Sequence, residues 1–386
     1  MARPAVCGLY VRSVRVLICP DKFAGTLSAL DAARAVADGW REAAPDDEIV
    51  MRPLADGGPG FVEVLAEALG GSRIPVATVD PLGRPARGEV LLAGRTGYVE
   101  SAQACGLHLL TEAERDPTVT TSYGLGLLLA AAVEAGATEV VVGLGGSATN
   151  DAGAGMLAAL GAGPVDVAGY ALPYGGAALG AAERLAGQPL LRQVRLVAAT
   201  DVDNPLTGLH GASNVFGPQK GASRDDVLRL DAALEHFAGV LEEACGLSDL
   251  SAMPGAGAAG GIGAALLALG GRVVSGIGVV TEAIGLAAEL DRADLVITGE
   301  GSFDHQSLRG KVVAGVANQA RDRGLPCVVV AGRVETGYRE AAGVGVTESH
   351  SLTDYFGSAE QAMAEPARGL RAIGARLAGQ WSRTTE

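Results

Sequence analysis

Three lysines are the residues of this 386-residue chain whose type and placement most clearly suggest chemistry. The other 27 of the 30 basic residues are arginines, so generic positive charge is supplied by arginine. Lys22 lies in PDKFAGT, Lys220 in FGPQKGA and Lys311 in SLRGKV, each a loop-like segment that contains glycine. A compact ammonium can bridge phosphate oxygens in a way that a planar guanidinium cannot. The lysines are therefore candidates for phosphate binding, although chance placement in loops would give the same pattern.

Carboxylates at the ends of strand-like runs are the second chemical feature. Asp201 and Asp203 occur in ATDVDNP, Glu300 and Asp304 in TGEGSFD, and Asp56 in LADGGPG. A single carboxylate at such a position is commonly a helix N-cap or a turn former. Several such loops on one edge of a sheet, mixed with lysines and glycines, indicate instead a site for magnesium and phosphate. Phosphoryl transfer needs amides and lysines on phosphate oxygens, carboxylates for the metal, and a base facing the acceptor hydroxyl.

A loop rich in glycine and hydroxyl groups, GLGGSATNDAGAG, lies between a predicted strand and a predicted helix. It supplies Gly145, Gly146, Ser147 and Thr149, with Asn150 beside them. Two glycines and two hydroxyls are suited to an anion cradle. The alternative interpretation is that the polar residues of the loop cap the helix that follows.

A second glycine loop, PGAGAAGGIGAAL, has the G-x-G-x-x-G spacing at Gly255, Gly257 and Gly260, with Gly261 next. A dinucleotide fingerprint needs a strand directly before it, and SDLSAMP is not strand-like. We therefore interpret the loop as a glycine-lined helix N-terminus whose amides could hold a phosphate. Tight packing of a glycine-rich helix is the structural alternative. A dinucleotide-dependent oxidoreductase would rest on this motif alone.

Composition limits the classes of partner. The net charge is −14 and the pI about 4.9, which argues against nucleic acid or an anionic membrane as the main partner. No apolar run approaches the length of a membrane helix. The five cysteines are scattered and form no CxxC pair, which fits reduced thiols in a cytoplasmic protein. We expect a cytoplasmic monomer or homodimer that acts on small molecules.

Apolar runs alternate with helical patterns along the chain, which predicts a parallel sheet covered on both faces by helices. The polar glycine loops follow the carboxyl ends of the predicted strands, the ligand edge of open α/β sheets. Between Ala77 and Glu100 the pattern indicates turns joining antiparallel strands instead. We therefore expect two α/β domains: a discontinuous parallel-sheet domain of residues 1–78 and 286–386, and an inserted α/β domain of mixed topology, residues 79–285. The predicted strands are Val14 to Cys19, Glu48 to Leu54, Val140 to Leu144, Arg195 to Thr200, Leu295 to Thr298 and Cys327 to Ala331.

Taken together, the motifs resemble the type 1 glycerate kinases, which are ATP-dependent glycerate 2-kinases. The matching segments are CPDKFAGTLSA, LADGGPG, DPLGR, GLGGSATNDAGAGMLAALGA, ATDVDNPLTGLHGASNVFGPQKGA, PGAGAAGGIGAALLALGGRVVSGI and DLVITGEGSFDHQSLRGKV. The resemblance implies phosphorylation of D-glycerate by ATP with Mg²⁺, giving 2-phosphoglycerate. It also implies that the discontinuous domain is flavodoxin-like and that the site lies in the cleft between the domains.

The resemblance, with the chemistry above, assigns expected roles to named residues. Lys22, Lys220 and Lys311 would neutralise the triphosphate and the glycerate carboxylate, and Asp201 or Asp304 would be the base. Asp201, Asp203 and Glu300 are the expected magnesium ligands. The expected substrate- and nucleotide-binding residues are Asp56, Gly57, Gly58, Gly145, Gly146, Ser147, Asn150, Gly255, Gly257, Gly260, Gly261, Gly301 and Lys311.

Two departures from the family pattern bear on the substrate. Ala24 stands where many members carry a second lysine, and Pro59 and Phe61 stand in ADGGPGF where many read ADGGEGT. One charge of each sign is therefore missing beside the expected site. Two alternatives follow: a kinase of a related small hydroxy acid, and a catalytically weak homologue that binds a metabolite.

Overall fold

A computed structural model describes residues 13–23, 25–191, 194–305, 307–308 and 312–382. The chain divides into two compact units. Unit 1 is Met1–Leu54 with Gly285–Glu386, and unit 2 is Ala55–Ile284. The predicted fold class is confirmed: the protein has two α/β domains, and the first is built from both ends of the chain.

Strands and helices alternate through most of the described chain. The strands are β1 (Arg15–Ile18), β2 (Glu48–Met51), β3 (Ser72–Val79), β4 (Pro85–Ala93), β5 (Thr96–Glu100), β6 (Glu139–Gly143), β7 (Pro164–Val165), β8 (Arg184–Leu185), β9 (Arg195–Ala199), β10 (Arg272–Val274), β11 (Leu295–Phe303), β12 (Cys327–Val334) and β13 (Glu348–Ser351). The helices are α1 (Ala29–Ala43), α2 (Phe61–Leu69), α3 (Ala102–Cys105), α4 (Tyr123–Glu134), α5 (Ala154–Ala159), α6 (Ala212–Phe216), α7 (Arg224–Cys245), α8 (Ala258–Ala268), α9 (Gly276–Ala283), α10 (Leu286–Leu290), α11 (Val312–Asp322), α12 (Tyr338–Gly343), α13 (Leu352–Phe356), α14 (Ala359–Ala364) and α15 (Pro366–Trp381).

Unit 1 contains a five-stranded sheet in the order β2-β1-β11-β12-β13, and all four pairings are parallel. Numbered within the unit, this is the 2-1-3-4-5 order of flavodoxin-like folds. Apolar residues such as Val16, Ile18 and Ile297 are fully buried in the strands, as expected for a sheet covered on both faces.

Helices α1 and α15 pack closely in unit 1 because two glycines allow their backbones to approach. A Cβ on Gly39 would lie 1.8 Å from the carbonyl oxygen of Arg371, and one on Gly374 would lie 2.3 Å from that of Val36. Helix α1 begins after Ser28, whose side chain accepts a hydrogen bond from the amide of Asp31, a standard N-cap.

Unit 2 contains a six-stranded mixed sheet in the order β10-β9-β6-β5-β4-β3. The β3–β4 and β4–β5 pairings are antiparallel and the other three are parallel. The antiparallel strands expected between Ala77 and Glu100 are thus confirmed. Strands β7 and β8 form a separate two-stranded sheet.

The first division between the units falls earlier than the sequence suggested. The units divide after Leu54, whereas the expected inserted domain started at residue 79. The reason is β3, which pairs along its whole length with β4 and therefore belongs to the sheet of unit 2. The second division, between Ile284 and Gly285, lies one residue from the expected position.

Candidate active site

In unit 1, the loop after β1 lies beside the carboxyl end of β11. The amide of Asp21 donates a 2.8 Å hydrogen bond to the carbonyl of Gly299, directly before Glu300. The order of the sheet reverses between these two strands, which is where ligands bind in open α/β sheets. Lys22 is half-buried at this position, with its Nζ 3.8 Å from Oδ1 of Asp21. The structure thus brings Lys22, Glu300 and Gly301 to one edge of the unit 1 sheet.

Asp304 forms a turn at the end of β11. Its amide donates to Oγ of Ser307 at 3.1 Å, and the amide of Ser307 donates back to Oδ1 of Asp304 at 3.3 Å. These two hydrogen bonds give Asp304 the turn-forming role that a carboxylate at a strand end commonly has. Two further positions from the sequence analysis, Lys311 and Ala24, lie outside the described residues.

In unit 2, the loop Asp56-Gly57-Gly58 packs against the ends of two strands. The amide of Gly58 donates to Oδ1 of Asp56 at 3.0 Å. Gly57 has φ +92°, and a Cβ on it would lie 2.7 Å from the carbonyl oxygen of Ala199, at the end of β9. A Cβ on Gly145, after β6, would lie 2.6 Å from the Cα of Gly58. Glycine is therefore required for these loops to meet.

Asp201 lies next to this loop, directly after β9. Its Oδ1 accepts a 2.7 Å hydrogen bond from the Ser275 hydroxyl, and its Oδ2 accepts a 3.1 Å bond from the Ile277 amide. Partial desolvation, with the nearby charge of Asp56, raises the pKa of the Asp201 carboxyl, and these hydrogen bonds oppose the rise. Asp203, two residues on, is exposed.

Lys220 is buried, although its segment looks like a loop in the sequence. It is the last residue of a 3₁₀ turn, Pro218–Lys220. Only 2% of its surface is exposed, and its Nζ donates to Oγ of Ser147 at 3.0 Å and to the carbonyl of Thr149 at 2.7 Å. Burial lowers the pKa of this lysine to about 7, while the nearby Asp151 carboxyl and Cys105 thiol act in the opposite direction. The structure therefore joins Lys220 to the GLGGSATN loop, 73 positions away.

Two polar residues of the same loop have structural partners. The side-chain amide of Asn150 donates to Oγ of Ser213 at 2.9 Å. Asp151 accepts from the amide and the hydroxyl of Ser122, each at 2.8 Å, and burial raises the pKa of its carboxyl. Asp151 also accepts from the amides of Gly153 at 3.1 Å and Gly155 at 3.2 Å, so it bonds to the start of α5, although the N-cap residue itself is Gly153 and has no side-chain cap bond.

The glycines around Gly255 and Gly260 pack against backbone. A Cβ on Gly257 would lie 2.2 Å from the carbonyl oxygen of Pro205, and one on Gly260 would lie 1.9 Å from that of Thr149. Gly260 and Gly261 have φ of +68° and +92°, so α8 does not begin as the regular helix that we expected. Close packing accounts for glycine at these positions, and contact with a nucleotide there stays a prediction.

Two residues that the sequence analysis missed stabilise the loops of unit 2. Glu100 accepts hydrogen bonds from the amides of Gly60 at 3.0 Å and of Val62 at 3.4 Å. Ser275 is the N-cap of α9 and bonds to Asp201. Glu100 could have been found from its position at the end of a predicted strand. Ser275 could have been found because a serine directly before GIGVV is a typical helix N-cap.

The carboxylates of the candidate site determine whether a magnesium ion could bind there. Among the described residues, no three His, Cys, Asp or Glu side chains lie together as a metal site. Mg²⁺ is, however, usually held by one or two carboxylates with substrate phosphates and water, rather than by an all-protein cage. Asp56 and Asp201 interact electrostatically across the loop, which provides such a pair of oxygen donors. The donor set in unit 2 therefore fits an ion that arrives with a triphosphate.

No helix in the described part of the chain is both long enough and apolar enough to cross a bilayer.

The fold and these loops define an α/β protein with a buried lysine and several carboxylates at the carboxyl ends of parallel strands. The pattern of the glycerate kinase family matches residues 16–382. The "Glycerate 2-kinase" of Escherichia coli K12 is 42% identical over 349 residues, covering 89% of this chain and 90% of that protein. The "Glycerate kinase" of Halalkalibacterium halodurans is 39% identical over 378 residues, covering 96% and 99%.

A solved structure is also similar. It comes from Salmonella typhimurium LT2 and is provisionally assigned as glycerate kinase 2, with a TM-score of 0.79, 39% identity, and coverage of 96% of this chain and 98% of that one. The chain belongs to the glycerate kinase family. It is therefore an enzyme, a phosphotransferase whose acceptor is an alcohol group.

Proposed function

We propose that this protein transfers the γ-phosphoryl group of ATP to the 2-hydroxyl of D-glycerate, giving 2-phosphoglycerate and ADP. Family membership over nearly the whole chain supports glycerate as the acceptor. The name of the E. coli relative supports the 2-position. The single structural observation that carries the proposal is the buried ammonium of Lys220 beside the glycine loop, at the edge of the sheet where Asp56 and Asp201 also lie.

In the proposed reaction, the 2-hydroxyl oxygen attacks the γ-phosphorus, its proton passes to a carboxylate, and ADP leaves. Asp201 and Asp304 are the two candidate bases. Asp201 has the environment that suits a base, because its carboxyl is oriented by two hydrogen bonds and its pKa is raised. Asp304 is engaged in a turn with Ser307. We therefore favour Asp201.

Cationic side chains and backbone groups of the loops would position the substrates. We propose that Lys22 and Lys311 contact phosphate oxygens, together with the loops Asp56–Gly58 and Gly255–Gly261. Asp56, with Asp203 and Glu300 as further candidates, would hold a magnesium ion that neutralises charge developing on the phosphates, while Asp201 acts as the base. The expected location of the site in a cleft between the domains, and a cytoplasmic location of the protein, stay predictions.

The decisive experiment incubates the purified protein with ATP, Mg²⁺ and D-glycerate and identifies the product by NMR. We expect 2-phosphoglycerate. A parallel series with glycolate, lactate and L-glycerate compares kcat/KM among small hydroxy acids, because Ala24, Pro59 and Phe61 depart from the family pattern. If kcat/KM is higher for one of these acids than for D-glycerate, that acid is the preferred substrate. Thermal stabilisation by ligands without ADP formation would indicate a binding protein instead.

A further inference from the structure

A small pocket in unit 2 has Lys220 in its wall. Its volume is about 230 Å³, and its walls are largely apolar. Among the described lining residues, Lys220 carries the only charge. The pocket, which we call the Ser147–Lys220 pocket, is lined by Leu107, Leu144, Gly145, Gly146, Ser147, Val202, Phe216, Gln219, Lys220 and Ala259.

The ammonium of Lys220 has donor capacity left over. In its charged form it carries three N–H groups, of which two are used by Ser147 Oγ and the carbonyl of Thr149. No third acceptor for it lies among the described residues. An unused N–H on a charged group that is 2% exposed is costly unless a ligand accepts it. The third N–H therefore points to an anionic or carbonyl ligand.

Further donors line the same pocket. The Ser147 hydroxyl accepts from Lys220, so its own hydrogen is available to a ligand. Within the described chain, no group accepts a hydrogen bond from the amides of Gly145, Gly146 or Ser147. Consecutive amides of this kind form concavities that bind anions. A cation, a hydroxyl and these backbone amides thus all belong to residues that line one small space.

The charge balance of the pocket favours an anion with one negative charge. One ammonium in apolar surroundings balances one carboxylate, whereas a phosphate carries close to two charges and needs more cations. The buried Asp151 carboxyl near Lys220 adds further negative potential, which disfavours a second charge on the ligand. The small volume also suits a three-carbon acid better than a triphosphate.

We propose that the Ser147–Lys220 pocket binds the carboxylate of the hydroxy-acid acceptor and not a phosphate of the nucleotide. This inference rests on the proposed function, because it identifies which part of the two substrates this pocket holds. It assigns the triphosphate to the other lysines. Lys220 is then a substrate-binding residue that anchors the carboxylate next to the carbon that carries the reacting 2-hydroxyl.

Binding of a carboxylate at this place has a proton signature. Burial lowers the pKa of Lys220 to about 7 in the free enzyme, so at neutral pH part of the protein population carries a neutral amine. A bound carboxylate favours the charged ammonium and raises that pKa. Binding at neutral pH therefore takes up a fraction of a proton per acceptor molecule.

The test is isothermal titration calorimetry of the full-length protein with D-glycerate, without nucleotide, in two buffers that differ in ionisation enthalpy. We expect proton uptake by the wild type. Lys220→Met should lower the affinity for D-glycerate roughly 10- to 100-fold and abolish the uptake. Ser147→Ala should lower the affinity by a smaller factor and keep the uptake, which preserves the test if Lys220→Met does not fold. The matched control is Arg224→Met, which removes an exposed cation four residues away and should change neither.

Parallel titrations with ADP and with inorganic phosphate separate the two kinds of ligand. ADP affinity equal to wild type in Lys220→Met supports the proposal. Loss of ADP or phosphate affinity with unchanged D-glycerate binding would overturn it, as would D-glycerate binding without proton uptake. Failure of the proposed function is seen separately, as absence of 2-phosphoglycerate in the turnover assay. Wild-type turnover with unchanged D-glycerate binding by Lys220→Met would reject the pocket alone.

Discussion

The Ser275 hydroxyl donates a 2.7 Å hydrogen bond to Oδ1 of Asp201, and thereby ties the end of β9 to the start of α9. Ser275 is also the N-cap of α9, and the amide of Ile277 in the first turn donates to the other oxygen of the same carboxylate. The two bonds fix the orientation of Asp201 and favour its charged form, while partial desolvation and Asp56 favour the neutral form. The result is an oriented carboxyl with a raised pKa, which suits a general base.

The first prediction concerns the pH dependence of Ser275→Ala. The base must be deprotonated, so kcat/KM should fall as pH drops through the raised pKa of Asp201. Loss of the Ser275 hydrogen bond removes a contact that lowers this pKa, so the acidic limb should move to higher pH. The helix cap is lost as well, at a cost of about 1 kcal/mol of stability. The measurement is kcat/KM for D-glycerate against pH.

The matched control is Ser223→Ala, which removes the N-cap of α7. It should cost a similar amount of stability and leave the acidic limb in place. Asp201→Asn should lower kcat across the whole pH range. If Ser275→Ala loses stability but its acidic limb stays where it is in the wild type, Asp201 is not the base and Asp304 becomes the stronger candidate.

The second prediction concerns the stability of the ligand-free protein and Lys220. Its pKa is about 7 in the folded protein, against 10.5 for an ordinary lysine. Between these two values the unfolded chain binds the extra proton, so the contribution of Lys220 to the free energy of unfolding should rise with pH. The slope is at most about 1.4 kcal/mol per pH unit, and below pH 7 the contribution should be flat.

The measurement is the difference in free energy of unfolding between the wild type and Lys220→Met, by circular dichroism at several pH values from 6 to 10, roughly the window that the two pKa values define. Arg224→Met is the control again, and its difference from the wild type should not change with pH over this window. A wild-type minus Lys220→Met difference that is independent of pH would mean that Lys220 keeps an ordinary pKa in the fold.

Lys220 and Ser275 show which parts of the site could be predicted from sequence. The alternation of apolar runs and helical patterns predicted β1, β2, β6, β9, β11 and β12, and placed polar loops after them. That pattern is local. The contact between Lys220 and Ser147 depends on how α6 and the 3₁₀ turn pack against the glycine loop, and the contact between Asp201 and Ser275 depends on the parallel pairing of β9 with β10. Neither is encoded in the periodicity of one segment.

The division after Leu54 shows the same limit for the fold. The antiparallel pattern from Ala77 onward was visible, but the first strand of that sheet, β3, begins at Ser72. Its burial alternates only weakly, with several exposed residues, because it is an edge strand paired on one side. An edge strand gives a weak hydrophobic signal, so its membership in unit 2 follows from its pairing with β4 and not from its composition.

The third prediction compares lysine with arginine at Lys22. The side chain is 24% exposed beside Asp21, so Lys22→Arg should fit without unfolding the protein. Arginine keeps the charge but not the compact shape, so kcat/KM should fall roughly tenfold or more if the ammonium contacts phosphate. Arg41→Lys, a lysine–arginine exchange at an exposed position of α1, is the control and should leave kcat/KM unchanged. Turnover by Lys22→Arg close to that of the wild type would remove Lys22 from the mechanism.

The fourth prediction tests whether the glycines of the PGAGAAGGIG loop are needed for packing. Gly260 has φ +68°, and a Cβ on it would lie 1.9 Å from the carbonyl oxygen of Thr149, a backbone atom of the loop that also contacts Lys220. Gly260→Ala should therefore lower the free energy of unfolding by roughly 2–4 kcal/mol. Gly239, in the interior of α7, has no atom within 4 Å of the position of an added Cβ. Gly239→Ala should instead raise stability by about 0.5–1 kcal/mol, because alanine favours helix. Chemical unfolding followed by circular dichroism compares the two variants. A Gly260→Ala protein as stable as the wild type, but with weakened ATP binding, would replace the packing role of this glycine with a role in contacting the nucleotide.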